Sequence, residues 1–351
     1  MAAEQGRTQD AQGAKGPATR SAAVEPFVRG SAWPSGAGVS YPRANPDLVD
    51  MSRLPMDTWG SASLPVGVRL EFTGSATAID ISYRTLTDNL GLRGAGGGKF
   101  FSLWIGNRLI EEAPAALGEG KVRLHIGKGA DAKTRRIVYL PEAMKPEVLS
   151  LTAVDGDIAP AASQPRWIAY GDSITEGWIA SGPAGGWPAV AGRLFELDVV
   201  NMGYAGASRG EIVSAEHIAA IKADVISLAH GTNCWVRIPH SAEQMRANLR
   251  AFLDIVRQGH PDTPIVVVSP VTRPDAEAKA NRLGATLADL RGAIEAVTSE
   301  RIAAGDKRLA LIRGLPLLRG DQLPDTIHPG DEGHQIMAQA IGKAVRESLG
   351  R

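Results

Sequence analysis

Four short segments of the chain carry groups that could together break an acyl bond. Gly171-Asp172-Ser173-Ile174-Thr175 presents a hydroxyl, and Asn201-Met202-Gly203-Tyr204-Ala205-Gly206 presents backbone N–H groups next to glycines. Gly231-Thr232-Asn233 presents a side-chain amide, and Asp325-Thr326-Ile327-His328-Pro329 presents an acid and an imidazole three residues apart. A serine hydroxyl is a weak nucleophile until a base takes its proton. His328 can be that base, with Asp325 holding the imidazole tautomer and stabilising the imidazolium. A tetrahedral intermediate needs donors aimed at its oxyanion. The Ser173 N–H, the Gly206 N–H and the Asn233 amide could supply them.

The elements that must position these groups can be read from hydrophobic periodicity. From about residue 25 to 160 the period is two: Val68, Leu70 and Phe72 alternate with polar residues, and so do Ile79, Ile81 and Tyr83. Further apolar runs at 100–105, 122–126, 137–140 and 148–154 are separated by turn residues. This predicts an antiparallel β-sandwich. The Pro- and Ala-rich stretch 155–165 reads as a linker. Beyond it, short continuous apolar runs at 167–170, 198–202, 225–229, 265–268 and 309–312 alternate with helix-like stretches such as 242–258 and 276–302, and 330–349 reads as a closing helix. Alternating strand and helix implies a parallel sheet covered on both faces. The expected organisation is a disordered tail over 1–24, a sandwich over 25–160 and an α/β domain over 161–351. Each reactive segment follows a predicted strand or opens the last helix. In such sheets that edge is where ligands bind. Pro329 suits the first position of the closing helix, with Asp331 and Glu332 in its first turn.

The four segments, in this order, resemble the blocks of the SGNH hydrolase superfamily, also called the GDSL family. The resemblance covers residues 166–349. It implies a flavodoxin-like three-layer α/β/α fold, Ser173 as nucleophile, Gly206 and Asn233 as oxyanion donors beside the Ser173 N–H, and the Asp325/His328 pair. Two departures stand out: Cys234-Trp235 follows the asparagine where the family often has an acid, and Ile174 replaces the leucine of the family's nickname. The layout is also similar to two-domain members with a carbohydrate-module-like N-terminal domain. These include deacylating esterases and an acyltransferase that decorates tetracycline-type natural products.

Composition narrows the alternatives. Lys+Arg and Asp+Glu are both 38, so nothing favours nucleic acid or an anionic membrane as partner. No run is long enough to span a bilayer. The one cysteine, Cys234, excludes an internal disulfide. The N-terminus lacks a secretory pattern, so a cytoplasmic location is expected. No His-Glu-x-x-His or cysteine cluster appears, and neither a metal nor another cofactor is expected. Thr175 stands where a Gly-x-Ser-x-Gly elbow needs its last glycine. The leading expectation is a serine esterase using an acyl-serine intermediate on a small or glycosylated ester. The donor is a small-molecule acyl ester or thioester, and the acceptor is water or a carbohydrate or polyol. An acyltransferase shares the first half-reaction, and a carbohydrate-binding protein with a vestigial site is the alternative of another class. Trp178, Trp187 and Trp235 flank the blocks as pocket or core residues. The glycine-rich stretch 90–99 reads as a hairpin loop that could reach the site; it lacks the Lys-Ser/Thr of a phosphate loop.

Overall fold

The computed structural model describes residues 21–129 and 131–350. The first half builds two antiparallel sheets. One contains β1 (Ser21–Ala22), β4 (Ala78–Thr85), β7 (Gly118–His125) and β9 (Pro146–Val154), in the order β1-β9-β4-β7. The other contains β2 (Val28–Arg29), β3 (Arg69–Thr73), β5 (Phe100–Ile105), β6 (Arg108–Pro114), β8 (Arg136–Tyr139) and β10 (Ala159–Pro160). Its order is β10-β3-β8-β5-β6, with β2 also against β3. The period-two residues explain the packing. Ile79, Ile81, Leu124 and Leu151 of one sheet share a buried cluster with Leu70, Phe72, Phe101, Leu103 and Val138 of the other.

The second half is a parallel sheet of β11 (Arg166–Gly171), β12 (Asp198–Gly203), β13 (Val225–Ala229), β14 (Ile265–Val268) and β15 (Leu309–Ile312), ordered β12-β11-β13-β14-β15. Successive side chains point to opposite faces. Ile168 and Tyr170 enter a cluster with α5 (Ile212–Ala220), α6 (Ala242–Gly259) and α7 (Leu287–Ala303). Trp167 and Ala169 enter another, with α4 (Trp187–Phe195) and α8 (Asp331–Ser348). The strands are therefore apolar on both faces. Burying each large side chain contributes about 1.5–3 kcal/mol. The first strand, β11, lies between the second and the third, so the strand order reverses there and a crevice opens at its carboxyl end.

Four local expectations are corrected. The tail over 1–24 was placed too long: residues 1–20 lie outside the described residues, but Ser21–Ala22 pairs with β9 and Val24 is buried in the β core. The linker holds β10, whose Ala159–Pro160 pairs with β3 at the sheet edge, where a proline's missing N–H is tolerated. The helix read over 276–302 begins only at Leu287. Asn281 folds the preceding segment into a turn by accepting the Leu283 and Ala285 N–H groups, and a reciprocal Thr286/Asp289 capping box then starts α7. Pro329 lies outside α8, which Gly330 caps and Asp331 opens.

The chain also crosses between the halves early. After β2 it leaves the antiparallel sheets and forms α1 (Leu48–Arg53) and α2 (Met56–Ala62). Ala44, Leu54 and Ala62 are buried in the α/β core beside α5 and α6 before the chain returns to β3.

Candidate active site

Ser173 follows β11 directly and opens the short helix α3 (Ser173–Glu176). The Asp172 carboxylate caps that helix by accepting the Ile174 N–H at 3.0 Å, and Gly177 ends it at φ +90°. This single turn holds the Ser173 side chain at the sheet edge. Ser173 Oγ lies 2.8 Å from His328 Nε2. His328 Nδ1 lies 2.6 Å from Asp325 Oδ2. Asp325 Oδ1 accepts the N–H groups of Ile327 at 3.1 Å and His328 at 2.7 Å. The acid thus grips the imidazole through both ring and main chain, across a turn in which Thr326 takes φ +69°. Burial pushes the Asp325 carboxyl up, but the hydrogen bonds from His328 and Ile327 outweigh it and leave it below the ordinary value.

The expected oxyanion donors converge on the same place. Ser173, Gly206, Asn233 and His328 line one cleft of about 370 Å³, with Trp178, Ala205, Val236 and Ile327. Gly206 has φ +72°, a conformation that favours glycine. Its N–H makes no hydrogen bond among the described residues, and Arg209 braces its carbonyl. Asn233 Nδ2 donates to the Ala207 carbonyl at 2.7 Å, which orients the amide and leaves its second proton for the cleft.

Asp172 sits beneath the serine at 3% exposure. Burial pushes its carboxyl up to about 6; the Ile174 and Thr232 N–H groups and the Arg273 charge offset part of that. Of the tryptophans, Trp178 lines the cleft, with its ring 6.1 Å from that of His328. Trp187 is core, and Trp235 stacks under Arg273. His230 is buried against Tyr170 and Phe252, and burial pushes it down to about 4. Cys234 is buried, and burial pushes its thiol up.

Sequence reasoning missed what fixes the Ser173 turn. Arg43, 0% exposed, donates from Nη2 to Glu176 Oε1 at 2.7 Å and from Nη1 to the Asn201 and Gly203 carbonyls. Ser61 Oγ also donates to Glu176, at 2.6 Å. Asn201 donates to the Thr175 carbonyl at 2.9 Å and accepts the Gly203 N–H at 2.8 Å. Arg93, paired with the buried Glu142, donates to the Glu176 and Gly177 carbonyls. His334 bridges the Trp187 N–H and the Trp178 carbonyl. The glycine-rich stretch does not line the cleft. It packs on 179–182 behind Trp178, with the Gly94 N–H donating to the Ala180 carbonyl at 3.1 Å.

A parallel sheet with a serine at its switch point and an Asp-x-x-His turn facing it defines the class. Residues 169–336 match the model of the GDSL-like lipase/acylhydrolase family, so this stretch is a GDSL-like domain and the protein is an SGNH-type enzyme. Two solved structures resemble nearly the whole chain. One is described as a putative GDSL-like lipase from Bacteroides ovatus (TM-score 0.77, 21% identity, covering 95% of this chain and 98% of that one). The other is the salicylyl-acyltransferase SsfX3 from a tetracycline biosynthetic pathway (TM-score 0.77, 24% identity, 96% and 99%). A family two carbohydrate esterase from Clostridium thermocellum follows at TM-score 0.61 and 15% identity (81% and 92%). At these identities the likeness is one of fold. No curated protein matches the chain. No helix among the described residues is long and apolar enough to cross a membrane.

Proposed function

We propose that the chain is a serine esterase that hydrolyses a small or glycosylated acyl ester through an acyl-Ser173 intermediate. The observation that carries this reading is the unbroken relay from Ser173 Oγ through His328 to Asp325, opening on a cleft with Gly206 and Asn233. In the acylation step Ser173 Oγ attacks the ester carbonyl while His328 Nε2 takes its proton. Asp325 stabilises the imidazolium, and the Ser173 N–H, the Gly206 N–H and the Asn233 amide hold the oxyanion. Collapse expels the alcohol, which leaves with the proton from His328. Water then attacks the acyl-serine by the same route in reverse. Hydrolysis is favoured over transfer because the cleft beside Ser173 opens to solvent on its Arg237 side, where that side chain is exposed, so water can reach an acyl-serine.

The test is mass spectrometry of the protein with a slowly deacylating ester, followed by turnover with and without polyol acceptors. An acyl adduct on Ser173, absent in Ser173→Ala, supports the reading. An adduct elsewhere refutes it. Acyl-polyol formed in preference to free acid would make the enzyme a transferase.

A further inference from the structure

The cleft beside Ser173 is lined by Arg209, Arg237 and Arg273, and by no carboxylate. Two of these cations are already engaged. Arg209 Nη2 donates to Asp57 at 2.9 Å and Nη1 lies 3.7 Å from Glu211. Arg273 forms a two-point pair with Asp275 at 3.0 and 3.2 Å and stacks over Trp235. Arg237 differs. It is exposed, and it has neither an ion pair nor a hydrogen bond among the described residues. It holds a left-handed backbone, φ +53°, that a non-glycine residue seldom adopts. Its Nη1 lies over Gly206, 3.8 Å from where a Cβ would stand. The one uncompensated guanidinium of the cleft therefore hangs beside the expected oxyanion donor.

Resting on the esterase reading above, we infer that Arg237 recognises an anionic group on the substrate, so that the preferred ester carries a carboxylate close to its scissile bond. A guanidinium offers a fork that pairs with a carboxylate in two parallel hydrogen bonds. The absence of lining carboxylates means that no acid of the cleft competes for it. The pairs made by Arg209 and Arg273 keep those side chains fixed. Val236 and Trp178 leave apolar wall for the carbon skeleton between the two polar ends. The carboxylate could stand on the acyl or the alcohol side of the ester.

Binding of inert amide analogues separates these sources without requiring turnover. The acyl-side pair is N-phenylsuccinamic acid against N-phenylbutyramide; the alcohol-side pair is 4-butyramidobenzoic acid against N-phenylbutyramide. Wild-type protein should bind at least one acid about 10–100-fold more tightly than its neutral partner, the range of a charged hydrogen-bonded contact. Arg237→Gln should abolish that preference, and Arg237→Lys should retain part of it. The pair that shows the preference identifies the side. Equal affinity for acid and amide in both pairs, or a preference that Arg237→Gln leaves intact, overturns the inference. A preference without a Ser173 adduct would leave the anion site standing and sink the esterase reading. An adduct without a preference would do the reverse.

Discussion

Arg43 and Glu176 form an ion pair of 2.7 Å in which neither side chain is more than 1% exposed. One partner comes from the segment before α1, the other is the last residue of α3. Removing one member of such a pair strands the other charge and typically costs about 3–5 kcal/mol. Arg43→Met should therefore lower stability by that order and reduce kcat. The double variant Arg43→Met/Glu176→Gln should recover part of the loss. Urea unfolding of the wild type and both variants checks this, and a double variant no better than Arg43→Met would show that the arginine acts through its carbonyl contacts instead.

Asp325→Asn should leave the turn in place, because an amide oxygen can still accept the Ile327 and His328 N–H groups. It cannot stabilise an imidazolium. A fall in kcat of about 10⁴-fold with little change in KM is expected. Asn233→Ala should cost about 10²–10³ in kcat, the usual loss for one oxyanion donor. Steady-state kinetics on one activated ester decides both. A rise in KM at constant kcat would reassign these groups to substrate binding.

Asp172 gives a pH signature. Its folded value, about 6, lies above the ordinary 3.8. The folded protein thus retains a proton that the unfolded chain has released. Stability from this group is complete below the unfolded value and is lost as pH rises to about 6. Asp172→Asn keeps the helix cap and removes the titration. Relative to wild type, the variant should gain about 2 kcal/mol between about pH 4.5 and about pH 8. Denaturation at the two pH values measures this difference, from which any constant effect of the substitution cancels. Parallel pH dependences would contradict it.

The glycine-rich stretch is expected to act through packing. A Cβ on Gly97 would run into the Ser181 carbonyl. Gly97→Ala should cost about 1–3 kcal/mol by forcing the backbones apart. It should also lower activity on small and large esters alike, because the displaced segment directly follows Trp178, which lines the cleft. Activity lost on large esters alone would show that the stretch acts on the substrate and not through packing.

The four segments that meet at the cleft were legible because each follows a strand or precedes a helix, and together they keep the order and spacing of a known set of blocks. Strand positions in both halves were legible from period and from buried apolar runs. The supporting shell was not. Arg43 meets Glu176 across 133 residues of chain and Arg93 meets Gly177 across 84, and no local pattern encodes such partners. The misread start of α7 has a local cause. Residues 276–286 have acceptable helix formers, but Gly284 takes φ +80° and Asn281 competes for the backbone N–H groups. The excursion of α1 and α2 was hidden for another reason: Ala44, Leu54 and Ala62 are too sparse to form a stripe.

The Asp325 turn has a consequence for how much the rest of the chain may vary. Acid and base are aligned by contacts spanning four consecutive residues, so their mutual geometry needs no outside help. The fold has only to deliver that unit, as a block, to within reach of Ser173. The connection from β15 to the turn can therefore vary at its exposed positions without detuning the pair, provided that Leu318 and Leu323 keep their places in the core, the Leu323 and Gln322 carbonyls still accept the Thr326 and Gly330 N–H groups, and α8 still anchors the far side. Asp331 at the start of α8, which accepts the Ser181 N–H at 2.9 Å, is the mooring that such variation has to respect.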